Sequence, residues 1–180
     1  EKGDIWLKNE IVKEICSVSD CISKGPEGWI DRWKHNDLGF YDTEEHALSV
    51  IPDNQEKYDL FAYKLYPIKF IEGKAIDCKV KSSAIESLDS YKFIGYDVVS
   101  RSVADFFECS PFSCNSACEI YSVNRFCLIQ DFKEALQCCR KISEEIAGAK
   151  TIKRSDGATE YDGKWEPGPY YLFEVYRKVR

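Results

Sequence analysis

Cysteine is the residue type in this sequence best equipped for chemistry. The 180 residues include nine Cys, and four of these, Cys109, Cys114, Cys118 and Cys127, crowd into one stretch. That density of thiols suits a zinc ion, but the spacing does not. Structural zinc sites present close pairs such as Cys-x2-Cys on a tight knuckle, and the two His, His35 and His46, lie far upstream. No metal and no other cofactor is expected. A nucleophilic role is the next candidate. Cys109 and Cys114 flank Ser110-Pro111, an N-cap followed by a proline suited to the first helical position, and a helix start favours a thiolate. Asn115 adjoins Cys114, yet no histidine base is near in sequence, so a structural turn with core thiols is the simpler expectation.

A third constellation pairs Arg101, in the Ser100-Arg101-Ser102 end of a strand, with Glu174, which points away from Phe173 and Val175 on the last strand and shares a face with Tyr170 and Tyr176. A guanidinium, a hydroxyl and a strand-borne carboxylate could hold a nucleotide sugar. The order of strand, short helix and aromatic strand resembles ADP-ribosyltransferase-type folds in architecture alone. The Ser-Thr-Ser triplet and the Glu-x-Glu pair of that family are not present, so no activity is carried over. No Gly-x-Gly-x-x-Gly follows a strand and no Gly-Lys-Ser or Gly-Lys-Thr occurs, which argues against a nucleotide-driven motor or a dinucleotide-dependent dehydrogenase.

Aromatic and charged side chains supply the remaining candidates. Trp29, Arg32, Trp33 and His35 form one amphipathic knot, and Trp165 lies in a Gly-Pro-rich stretch with Lys164 and Glu166. Trp, Tyr and Arg dominate binding hot spots, although two Trp at helical spacing more often belong to a core. The chain carries 25 Lys and Arg against 31 Asp and Glu, a net charge of −6, and the acidity is local. Asp37, Asp42, Glu44, Glu45, Asp53, Glu56 and Asp59 face Lys57 alone, a run that repels nucleic acid and attracts a basic partner.

These residues need a frame. With 44% apolar and 14% aromatic residues, the chain suits a single globular domain with a sizeable core and excludes disordered or low-complexity classes. No window is long and apolar enough to cross a bilayer. Nine Cys is below the density of a secreted disulfide scaffold, and Cys16, Cys127, Cys138 and Cys139 occupy apolar helical or strand positions, so unpaired thiols in a cytoplasmic setting are expected. There is no Met; residues preceding Glu1, or methionines omitted from the sequence as written, are implied.

The apolar period predicts an N-terminal helical segment over 1–35, then a first strand-helix-strand unit over 36–72, in which Asp42 or Thr43 caps a helix from Glu44 to Ile51 and Tyr58 to Phe70 forms a strand bulged or edged at Pro67. Connecting strands near 75–80 and 92–99, a short helix over 83–88 and the Cys-containing turn fill 73–124. A second unit spans 125–180. It comprises a strand Arg125–Gln130, a helix capped by Asp131, a long loop over 148–169 and an alternating strand Tyr170–Val179. Similarity between the units predicts an α+β fold of ferredoxin-like flavour: a mainly antiparallel sheet built from two βαβ-like halves with the N-terminal helices outside. The function expected is non-enzymatic: a binding or regulatory protein, of the inhibitor or immunity type, for a basic protein or enzyme. The runner-up is a small enzyme using Arg101, Cys114 and Glu174 between the halves. A third possibility is a small-ligand pocket lined by Phe61, Tyr63 and Phe173.

Overall fold

A computed structural model describes residues 43–49, 59–78, 87–101, 110–114, 120–155, 159–166 and 168–179. The expected N-terminal helices, the strand before Asp42 and most of the 83–88 helix lie outside the described residues, as do Trp29, Arg32, Trp33, Asp42, Cys109 and Asn115. Helix α1 spans Glu44–Ser49.

Strand β1, Phe61–Ile71, is built from aromatic and branched side chains that suit a pleated, half-buried surface. Phe61, Tyr63 and Leu65 share one face, as expected, against Val99, Leu128, Tyr171, Phe173 and Val175. Pro67 has no amide hydrogen for a ladder, and the register of β1 shifts between Leu65 and Lys69 around it. Glu72 and Gly73, with φ of 50° and 76°, make a two-residue hairpin turn into β2, Lys74–Asp77. Glycine suits the second position because its left-handed φ strains other residues, and a Cβ there would also press on the Glu144 side chain.

Strand β3, Tyr91–Ser100, and strand β6, Tyr170–Lys178, complete a four-stranded sheet in the order β2-β1-β6-β3, with every neighbour antiparallel. One long helix, α3 over Phe132–Ala147, crosses one face, and a short helix α2 spans Pro111–Cys114. The class is therefore α+β. Asp131 caps α3 as its sequence implies: its Oδ1 accepts the Glu134 amide at 2.9 Å. The buried stripe of α3, including Ala135, Cys138, Cys139, Ile142 and Ile146, meets Phe70, Val98, Tyr170 and Leu172. Burying each large apolar side chain of this kind contributes roughly 1.5–3 kcal/mol.

Two expected elements differ. Arg125–Gln130 is a turn, with a single bridge from Ile129 to Tyr96. The cause is Asn124, whose Oδ1 accepts the Phe126 and Leu128 amides at 2.8 and 3.3 Å while its Nδ2 donates to the Ile94 carbonyl at 2.7 Å. Such side-chain bonds compete with a strand ladder, and Cys127 takes a left-handed φ of 61° to complete the turn. The second unit thus begins without a strand. The 148–169 loop, in turn, contains a hairpin of β4, Lys150–Lys153, and β5, Thr159–Asp162. None of the described helices is long and apolar enough to cross a membrane.

Candidate functional site

Alternation along β6 sends Tyr170, Leu172, Glu174 and Tyr176 to the face that α3 crosses. Tyr170 and Leu172 lie beneath the helix and are fully buried. Past Phe132, the first residue of α3, the helix no longer covers the sheet, and there Glu174 stands. Its strand neighbours are fixed by register: Lys64 of β1 on one side and Tyr96 of β3 on the other.

An arc of five rings runs beside this carboxylate, with Tyr96 and Tyr176 next to it. Tyr66 packs on Phe132 at 5.0 Å between centroids, Phe132 on Tyr96 at 5.5 Å, Tyr96 on Phe93 at 5.1 Å, and Phe93 on Tyr176 at 5.5 Å. Interplanar angles of 58–69° place ring edges against ring faces, the favoured arrangement. Lys64 closes the remaining side. Its Nζ lies 3.0 Å from Glu174 Oε2, and the Tyr176 hydroxyl donates to the same oxygen at 2.7 Å. Oε1 has no partner among the described residues. The Lys64 side chain is 59% exposed and that of Glu174 22%, so the ammonium can swing away into water while the carboxylate stays in its enclosure.

Electrostatics keep Tyr176 and Tyr96 in their neutral, hydrogen-donating form. Burial, then the bond to Glu174, pushes the Tyr176 hydroxyl up to about 12. Tyr96 is raised in the same way, first by burial and then by the Glu174 charge. Neither phenol is poised to act as a base near neutral pH. Two residues beyond Tyr176, Lys178 donates to Glu44 of α1, and Tyr91 donates to the same carboxylate at 3.0 Å. The hydrogen bond from Lys178 holds Glu44 below the ordinary carboxylate range.

The other residues singled out from the sequence are dispersed. Glu44 and Asp59 belong to the acidic run expected to meet a partner, but both are engaged within the fold: Glu44 as above, and Asp59 Oδ1 with Arg177 Nη2 at 2.9 Å. Glu45 is exposed. Arg101 follows β3, where its amide donates to the Pro169 carbonyl at 3.0 Å. It is five residues from Tyr96, the partner of Glu174, or about 16 Å along a strand, so the two charged groups do not converge. Cys114 ends α2. Phe61, Tyr63 and Phe173 pack as rings rather than around a space, Tyr63 lying edge-on to Phe173 at 5.6 Å. Trp165 is only 3% exposed; its indole Nε1 donates to Glu145 Oε2 at 2.5 Å, beside a shallow recess of about 330 Å³ at the end of α3. It is a packing residue, because its apolar body fills the core and its one polar atom is already paired.

Cys78, Cys138 and Cys139 form no disulfide and are also unsuited to nucleophilic work: burial pushes Cys138 up to about 12 and raises Cys139 and Cys78 as well. A raised thiol is protonated and inert.

One buried carboxylate went unnoticed at the level of sequence. Asp97 is 1% exposed and accepts from Ser110 Oγ at 2.5 Å, the Tyr63 hydroxyl at 3.2 Å and the Val98 amide at 2.9 Å. An Asp within the apolar run Gly95-Tyr96-Asp97-Val98-Val99 was the available signal. Ser110, expected as a cap, also donates to this carboxylate and so ties α2 to β3. The arc residues Tyr66, Phe93, Tyr96 and Phe132 were similarly missed; strand alternation could have grouped the first three with Glu174, but the proline and glycine irregularities in β1 and β3 break the count.

Comparison with known proteins yields no match to a family model, to a curated protein or to a solved structure.

Proposed function

We propose that this chain is a non-enzymatic binding protein that takes hold of a cationic side chain on a basic protein partner, with Glu174 as the anchor. The observation that carries the proposal is that Glu174 Oε1, beside the five-ring arc, meets no partner among the described residues. A carboxylate rimmed by aromatic rings suits arginine or lysine: the charge meets Glu174 while the apolar stem or guanidinium plane lies against Tyr96, Phe93 and Tyr176. A cation against such a ring contributes roughly 0.5–2 kcal/mol, depending on how far it is desolvated. Lys64 is an internal competitor, since its ammonium on Oε2 already offsets part of the charge of the same carboxylate. A reducing, cytoplasmic setting belongs to the same proposal and is supported by Cys78, Cys127, Cys138 and Cys139, which form no disulfide among the described residues.

The test is an NMR titration of isotope-labelled protein with acetyl-arginine amide, acetyl-lysine amide and neutral acetyl-glutamine amide. Saturable shifts at Phe93, Tyr96, Glu174 and Tyr176 with the cationic probes alone are expected, and Glu174→Gln should remove them. Equal shifts with the glutamine probe, or shifts confined to other regions, would overturn the proposal. Lys64→Ala should tighten binding several-fold, because an intramolecular competitor has been deleted.

A further inference from the structure

Turning to the opposite face of β6, the alternation that aims Glu174 and Tyr176 toward α3 aims Val175 and Arg177 the other way. Here the arrangement is inverted: one ring is surrounded by cations. The Arg125 guanidinium carbon lies 4.7 Å from the centroid of Phe126, and that of Arg177 lies 5.5 Å from the same centroid, which caps their separation at about 10 Å. Phe61 packs edge-on to Phe126 at 6.0 Å and holds the ring from a third direction. Lys92 is the register partner of Arg177 on β3, so its side chain leaves the sheet on the same face.

Three positive groups thus gather in one corner of an acidic chain. The Arg177 Nη2 bond to Asp59 is the only ion pair among them within the described residues. Its Nε is buried with no hydrogen-bond partner, a condition that costs about 1–3 kcal/mol where a donor is left unmade. Arg125 and Lys92 are exposed and meet no carboxylate among the described residues. Like charges held this close repel one another, and water and salt only partly screen them. Among the described residues, these three cations and Asp59 sum to about +2, equal in size to the charge of a phosphate monoester near neutral pH and greater than that of a single carboxylate.

We infer that Arg125, Arg177 and Lys92 form an anion site for a phosphoryl group. The Arg guanidiniums are pre-oriented by stacking on Phe126, which reduces the ordering cost of binding, and they offer the planar donor forks that phosphate oxygens accept. The site lies on the other face of the sheet from Glu174 and does not depend on it.

The experiment measures the thermal midpoint and NMR shifts of the intact chain against inorganic phosphate, free phosphoserine, a phosphoserine-containing peptide and glutamate, each balanced with chloride to constant ionic strength. A saturable rise in midpoint with the phosphate probes, and shifts at Lys92, Arg125 and Phe126, are expected. Arg125→Gln and Lys92→Gln alter exposed side chains and leave the core intact; each should weaken phosphate binding roughly tenfold. Tighter binding of the peptide than of inorganic phosphate identifies a phosphoprotein source, and equal binding identifies a free phosphate compound. A glutamate response equal to that of phosphate, a response reproduced by chloride alone, or full retention of binding in the double variant would overturn the inference. Glu174→Gln should leave phosphate binding unchanged, which separates this outcome from that of the cation proposal.

Discussion

The two ends of β6 follow one alternation and reach opposite results. From Tyr170 to Phe173 no residue is more than 6% exposed. From Glu174 to Lys178 only Val175 is buried, and the strand becomes a series of charges and a phenol. β1 and β3 flank the strand on both sides of this boundary, each with one register shift, between Leu65 and Lys69 on β1 and between Phe93 and Gly95 on β3. What changes is the cover. Helix α3 begins at Phe132, and the strand turns polar where that cover stops. The charges left in the open are then partnered by side chains: Lys64 for Glu174, Asp59 for Arg177 and Glu44 for Lys178. One strand is thus divided into a half buried beneath α3 and a half whose charges are paired at the surface by neighbouring side chains.

Truncating side chains in the two halves of β6 should have very different costs. Leu172→Ala removes a fully buried side chain beneath α3 and should cost about 2–5 kcal/mol in urea denaturation, because the cavity is walled by helix and sheet. If Leu172→Ala proved as mild as a surface change, the division of β6 would be lost.

A smaller effect distinguishes two carboxylates on neighbouring strands. Asp97→Ala leaves the Ser110 and Tyr63 hydroxyls and the Val98 amide without their acceptor, so a loss of about 2–3 kcal/mol is expected, part of it restored by Asp97→Asn. Glu174→Gln, at a solvent-accessible pair, should change stability by about 1 kcal/mol or less. Equal costs would mean that Glu174 serves the fold rather than a partner.

The smallest effect is acid dependence at the open end. The folded protein holds Glu44 below its ordinary value of 4.5. A depressed carboxylate stabilises the fold above its unfolded value, and that contribution fades as pH falls through the lower, folded one. Glu44→Gln should therefore flatten part of the stability decline below 4.5, by well under 1 kcal/mol for so exposed a pair, and leave stability near neutrality almost unchanged.

Period-two patterns, caps and breakers carried much of this fold in plain view. The aromatic alternation of β1 and β6, the Asp131 cap and the Pro67 irregularity follow from local rules and stand in the structure as expected. Arg125–Gln130 shows where local rules stop: its apolar residues fit a strand, but the Asn124 side chain claims the amides first. The 148–169 stretch shows the converse, since turn-forming glycines and prolines mask the two four-residue strands between them. The candidate site was legible only in its centre, Glu174 with Tyr176. Its rim comes from β1, β3 and α3, and which rings gather there depends on register, on the Pro67 bulge and on where α3 begins, all of which are tertiary facts.

The margins of the sheet carry a last consequence. At β3, Ile129 exchanges two backbone hydrogen bonds with Tyr96, 2.8 and 3.0 Å long. At β2 the sheet ends in four exposed residues, with Lys74 at one end and Asp77 at the other. Sheets recruit further strands through long, flat, apolar margins. Among the described residues β2 is short and charged at both ends, and β3 is already bridged at Tyr96, so both margins are less open to strand-by-strand accretion, the route to fibrils and to swapped dimers.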